Sequence, residues 1–123
     1  MSRKHTAKEF DKSSKWLAIG VDLAKYDNTV VGISEDGEVQ IIERISTADL
    51  LELASEIQPT TFAIEPCNGA NILSLNLQAQ GHEVKTISGA AVKDWVKVHL
   101  ASQKTDRNDA LALAHLSRDT MLK

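Results

Sequence analysis

The chain has 123 residues, 42% hydrophobic, 25% charged and 4% aromatic, which is one domain's length and an ordinary globular composition. That excludes a disordered acidic tail, a collagen-like fibre and a low-complexity linker. The net charge of −3 divides into +3 over residues 1–16 (five bases, two acids), −8 over 17–92 (three bases, eleven acids) and +2 over 93–123 (six bases, four acids), a balance that argues against strong duplex binding through phosphate contacts alone.

Residues 1–15 are polar, basic and without periodicity, a flexible tail. Trp16–Leu23 (WLAIGVDL) is almost continuously apolar and closes on an acid, as a buried central strand would. Thr29–Ile33 is a second strand. The Asp36-Gly37 pair signals a hairpin turn into a third strand, Val39–Ile45. Thr47 is a candidate N-cap for a helix carrying Leu50, Leu53, Ala54 and Ile57, which Pro59 ends. Thr60–Glu65 (TTFAIE) is a fourth strand, again closing on an acid. Gly69–Gln80 has Ala70, Leu73 and Leu77 on one stripe and Ile72, Leu75 and Ala79 beside it, which predicts a largely buried helix with Gly81 as its C′ residue. Glu83–Ile87 is a short fifth strand. Ala90–Leu100 is a helix with Val92, Trp95, Val96 and His99 on one side, and Trp95 is expected in the core. Asp106–Arg118 is the last helix, with Ala110, Leu113 and Ala114 facing inward.

The order β-β-β-α-β-α-β-α-α predicts an α/β fold: a mixed five-stranded sheet with helices on both faces, the plan of the ribonuclease H-like fold. Actin-like ATPases share that plan, so the fold alone does not give the function.

Four acids stand out by position. Asp22 and Glu65 close two hydrophobic strands, and Asp106 and Asp109 open the last helix on one face. If the two strands are neighbours, the four carboxylates converge. Such a cluster repels itself unless a cation neutralises it, and hard oxygen ligands suit Mg²⁺ or Mn²⁺. Two such ions would activate a nucleophile and stabilise the leaving oxygen in phosphoryl transfer. The plainer reading makes Asp106 an N-cap with Asp109 at N3, and Asp22 a turn former. Lys25, Lys104 and Arg107 flank the acids and are candidate phosphate contacts. Cys67 reads as a small core or site-rim residue, and His82 and His99 as packing or surface histidines.

IGVDLAK (19–25), AIEPCNGA (63–70), GHEV (81–84) and KTDRNDA (104–110) resemble, in order and spacing, the DEDD transposases of the insertion-sequence 110 group and the related Piv-like DNA invertases. The resemblance covers residues 16–123. It implies a RuvC-like ribonuclease H domain with a Mg²⁺-dependent tetrad, Asp22, Glu65, Asp106 and Asp109. It also implies DNA as partner, a structured guide RNA in many members, and site-specific recombination. A homo-oligomer is compatible with this. Family members carry a further C-terminal domain with a serine nucleophile. The chain is therefore expected to be the catalytic-type N-terminal domain, incomplete for recombination by itself. Pro66 stands where members often have alanine.

Two other readings compete. One is a non-catalytic nucleic-acid-binding or assembly remnant. The other is an actin-like nucleotide-binding module, against which stands the sequence Leu23-Ala24-Lys25 after Asp22, where a phosphate loop would need glycine. With no apolar run near ~18–20 residues, no h-region and one cysteine, the expected location is the cytoplasm, away from membranes.

Overall fold

The computed structural model describes residues 15–24, 27–100 and 105–118, with Asp106 described by its backbone alone. The tail assigned to residues 1–15, all but Lys15, and the candidate phosphate contacts Lys25 and Lys104 lie outside the described residues. The described elements run β1 (Trp16–Asp22), β2 (Asn28–Ser34), β3 (Val39–Ile45), α1 (Thr47–Ser55), β4 (Thr61–Ile64), α2 (Ala70–Ala79), β5 (Glu83–Thr86), α3 (Gly89–His99) and α4 (Asp106–Leu116). Each expected element is present, with ends shifted by a residue or two.

The sheet order is β3-β2-β1-β4-β5. β1, β2 and β3 form an antiparallel meander, and β4 and β5 join β1 in parallel. This is the mixed sheet of the ribonuclease H-like fold. The expected hairpin turn forms: Gly37 takes φ +89°, which glycine adopts without strain. Its N–H donates to Ser34 O at 3.0 Å, and the Ser34 N–H donates to Glu38 O at 2.9 Å.

The β2–β3 ladder shifts register between Asn28 and Val30. Arg44 takes up the extra residue with φ +64°, as a β-bulge requires. The sequence alternation hid this feature. Its consequence is that Ile42 and Ile45, three apart, both enter the same core; a regular strand would turn them to opposite faces.

That core fills the first face of the sheet. Ile19, Val21, Val30, Phe62 and Ile64 meet Leu50, Leu53 and Ala54 of α1 and Ala70, Leu73 and Leu77 of α2. Ser46, one residue before the expected Thr47, caps α1 by accepting from Asp49 N–H at 3.1 Å. α2 is less buried than its composition suggested. Ile72 and Leu75 are 69% and 67% exposed, because they lie off the Ala70–Leu73–Leu77 stripe that meets the sheet. Gly81 closes α2 with φ +98°, as expected of a C′ residue. His82 is a buried packing residue. Its Nδ1 accepts from Thr60 N–H at 3.1 Å, so Nε2 is left to donate to Ala54 O at 2.8 Å. One ring thereby ties β4 to the end of α1.

α3 and α4 cover the second face, where Ala63 meets Val92, Val96 and Leu113, and Ala18 meets Ala114. Gly20 makes this layer possible. A Cβ at Gly20 would stand 2.0 Å from Ala110 O and 2.7 Å from Ala114 N, so the backbone of α4 lies directly on β1. Trp95 is at the edge of this core, partly buried. Its indole is stacked between the rings of His99 and His115, with centroids 4.5 and 5.0 Å away. No described helix is long and apolar enough to cross a membrane.

Gly20→Ala must push backbone against backbone, where no rotamer change relieves the clash. It is expected to destabilise by at least the upper end of the ~1–3 kcal/mol typical of overpacking, and urea unfolding followed by circular dichroism checks this. A second outcome concerns pH. Burial, and then the charge of His99, hold the His115 pKa below the ordinary 6.5. The unfolded chain therefore binds this proton more readily than the folded one. The stability at stake is present above pH 6.5 and is lost as pH falls through and below that value. Melting temperatures between pH 7.5 and 5.5 should fall less in His115→Gln than in the wild type.

Candidate functional site

Strand register decides the site. Val21 pairs with Ile64 in the parallel β1–β4 ladder, so the next residues, Asp22 and Glu65, leave neighbouring strand ends together. Side chains alternate between faces along a strand. Ile19, Val21, Phe62 and Ile64 occupy the α1/α2 face. Ala18, Gly20 and Ala63 occupy the other. Asp22 and Glu65 therefore project toward the layer of α3 and α4, and both are partly buried.

α4 arrives from the opposite direction. Its Ala114 lies beside Ala18 and Gly20, and its Ala110 over Gly20. One turn further back, its N-terminus reaches the end of β1 that carries Asp22. Asp109 is on this inward face, partly buried, with its Oδ1 shielded from solvent. Asp106 opens the helix.

The capping reading of these acids does not hold. Thr105 is the N-cap of α4, and its Oγ1 accepts from Asn108 N–H at 3.0 Å. Asp106 is thus N1 and Asp109 N4. A neighbouring threonine relieves both carboxylates of capping, and Asp109 turns inward. Asp22 is likewise free of turn-forming duty. Asn28, 1% exposed, closes the β1–β2 connection by accepting from Ala24 N–H at 3.2 Å and donating to Thr47 Oγ1 at 3.1 Å.

Arg107, expected near phosphate, reaches Glu43 on β3. Its Nη2 and Nε lie 3.0 and 3.3 Å from one carboxylate oxygen. Both side chains are 54% exposed, so the pair orients the first turn of α4 more than it stabilises the fold. Cys67 is exposed at the rim. Desolvation, and then the negative charges of Glu65 and Asp22, push its thiol pKa up. A thiol held protonated is a poor nucleophile. Both carboxylates acting on this one sulfur also places them on the same side of the strand ends.

Two features were not foreseen from the sequence. Gly89, the first residue of α3, lies against the Glu65 carboxylate: a Cβ there would stand 2.6 Å from Oε2. A hollow of about 680 Å³ also opens beside the acids, lined by Leu23, Thr47, Cys67 and Asn68 among others. Neither has a signal in local sequence, because each joins segments far apart in the chain.

The donor set consists of carboxylate oxygens, which suit Mg²⁺ or Mn²⁺ over softer ions. Among the described residues, no three His, Cys, Asp or Glu side chains stand close enough together to hold an ion. The described acids therefore fit such an ion in chemistry and in shared face, while Glu65 is turned toward Gly89.

Residues 19–123 match the model of a family described as Transposase, the DEDD type of insertion sequence 110. The chain is similar to the transposase for insertion sequence element IS1111A of Coxiella burnetii, 32% identical over 116 residues, covering 91% of this chain and 31% of that protein. It is also similar to the transposase for insertion sequence element IS1328 of Yersinia enterocolitica, 24% identical over 85% of this chain and 37% of the relative. A probable family 20 transposase of Pseudomonas aeruginosa is 31% identical over 84% of this chain and 30% of its own length. The chain spans about a third of the length of these curated relatives.

Thr105→Ala should cost about 1 kcal/mol, the usual loss for an N-cap, and Thr105→Ser should restore most of it. Denaturant midpoints of the three proteins measure the difference.

Proposed function

Because the chain belongs to the DEDD transposase family of the insertion-sequence 110 type, we propose that it carries the metal-dependent strand chemistry of such an enzyme, phosphoryl transfer on DNA. In this reading Asp22, Glu65, Asp106 and Asp109 hold Mg²⁺ or Mn²⁺. The bound ions would supply charge neutralisation at the scissile phosphate and a more acidic attacking hydroxyl. The observation that carries the reading is that Asp22 and Glu65 leave adjacent strand ends on the one face that α4 approaches with its acidic N-terminus.

Each residue has its own part. Asp22 and Glu65 are fixed by the β1–β4 ladder and set the separation of the ligands. Asp109 is carried on a helix whose height above the sheet is set by backbone contact at Gly20. Lys25, Lys104 and Arg107 are proposed to meet DNA phosphates, with Arg107 leaving Glu43 to do so. DNA is the proposed substrate, the cytoplasm the proposed location, and a structured guide RNA and a second copy of the chain are proposed partners. Complete recombination is proposed to draw also on the serine-bearing domain found in family members. A non-catalytic remnant is the outcome if the acids prove unable to bind metal.

Thermal melting of the wild type and Asp109→Ala, with millimolar Mg²⁺ or Mn²⁺ and with chelator, tests the reading. Selective binding to the folded state adds about 2.7 kcal/mol at a hundredfold excess over Kd. The wild type should gain stability from the ion, and Asp109→Ala should gain less. In chelator the mutant should match or exceed the wild type, since one member of a repelling cluster is gone. A wild-type melt indifferent to both ions, with an alanine mutant that is simply weaker, would overturn the proposal.

A further inference from the structure

Glu65 leaves β4 on the face it shares with Asp22, yet no three described acid, histidine or cysteine side chains are gathered closely enough to hold an ion. Its carboxylate lies against the first residue of α3. A Cβ on Gly89 would meet Glu65 Oε2 at 2.6 Å and Cδ at 3.3 Å, both too short for real contacts, so the carboxylate fills space that any other side chain at this position would claim. Gly89 is not among the residues with positive φ. Glycine is therefore not required by the backbone, and its contribution here is room.

The space also suits an anion. α3 is an eleven-residue helix capped by Ser88, whose Oγ accepts from Ala91 N–H at 3.1 Å. The N–H groups of Gly89 and Ala90, the first two in the helix, have no acceptor within it. They make up much of the positive end of the helix dipole.

We propose that Gly89 provides a seat at the α3 N-terminus in which the Glu65 carboxylate rests in the metal-free protein, and that this seat competes with divalent-ion binding. The inference rests on the carboxylate metal reading above and concerns how that site fills. Joining Asp22, Asp106 and Asp109 around an ion requires Glu65 to leave the seat and give up its interaction with the helix end. A side chain at position 89 closes the seat and removes that competition. Charge–dipole interactions of this kind typically correspond to about two- to fivefold in an equilibrium constant.

The probe is Mn²⁺, titrated calorimetrically into the wild type, Gly89→Ala, Glu65→Gln and the double variant. Alanine suits the first turn of a helix better than glycine. Gly89→Ala is expected to bind Mn²⁺ about two- to fivefold more tightly than the wild type, and the same change in the Glu65→Gln background should have no effect. Equal or weaker binding by a folded Gly89→Ala protein overturns the seat. A second measurement needs the wild type alone. Nuclear Overhauser contacts between the Glu65 γ protons and the Gly89 α protons should be present in chelator and absent at saturating Mg²⁺. Contacts that persist at saturation, or that are missing in chelator, overturn the seat equally. Failure of the wild type to bind either ion defeats the metal reading and the competition with it. Glu65-dependent Mn²⁺ binding that Gly89→Ala leaves unchanged defeats the seat alone.

Discussion

The absence of one side chain, at Gly20, governs how the second layer of this molecule is built. Helices ordinarily sit about a side chain's thickness above a sheet. Here the carbonyl of Ala110 and the amide of Ala114 occupy the volume in which a Cβ of β1 would lie, so α4 is lowered onto the central strand. The small residues around it follow from the same need: Ala18 and Ala63 on the strands, and Ala110, Ala112 and Ala114 on the helix, are all fully buried. Close approach lets a helix only eleven residues long hold two carboxylates at the strand ends. A helix resting on larger side chains would carry Asp109 away from Asp22.

Thr105 and Arg107 then fix how that helix begins. Capping by Thr105 satisfies the Asn108 N–H, so the acids on either side are not drawn into local hydrogen bonding with the backbone, the usual fate of aspartates in a first turn. Arg107 reaches sideways to Glu43, a residue whose position beside Arg44 depends on the bulge in β3. Within the TDRND run, capping, lateral anchoring and the inward acid are assigned to different residues. That division explains why one short segment can look like an ordinary helix start while also presenting a carboxylate to a site.

Most of the fold was legible because its signals are local. Period-two and period-3.6 patterns gave every described strand and helix, and the Asp36-Gly37 pair gave the hairpin. What escaped was set by pairing across the chain. The Arg44 bulge is invisible in β3 alone, since only the partner strand reveals the extra residue. Ile72 and Leu75 look like core in composition, but a flat sheet takes up only one stripe of α2, and they face outward. Ser46 and Thr47 are equally good caps on paper, and the chain's approach to α1 chooses Ser46. At the site, Asp22 and Glu65 could be picked out because an acid ending a hydrophobic strand is conspicuous. The lean of Glu65 onto Gly89, 24 residues away in sequence, has no local trace.

A cluster of acids must also be tolerable before any cation arrives, and the layout of the helices helps to meet that condition. Two carboxylates some 6 Å apart repel by roughly 3 kcal/mol at an effective dielectric near 20, enough to threaten a domain whose net stability is only about 5–15 kcal/mol. Two helices begin beside these acids. α3 starts at Glu65, and α4 starts with Asp106 and carries Asp109 one turn in. Each N-terminus presents the equivalent of about half a positive charge, worth roughly 0.3–1 kcal/mol per nearby anion. The two ends together offset part of the repulsion, and the partial exposure of Asp22, Glu65 and Asp109 lets water screen more. The remaining strain is of the size a divalent cation relieves. The helix starts thus leave the acids ionised and the fold intact, while keeping enough unbalanced negative charge at one end of the sheet to attract a cation.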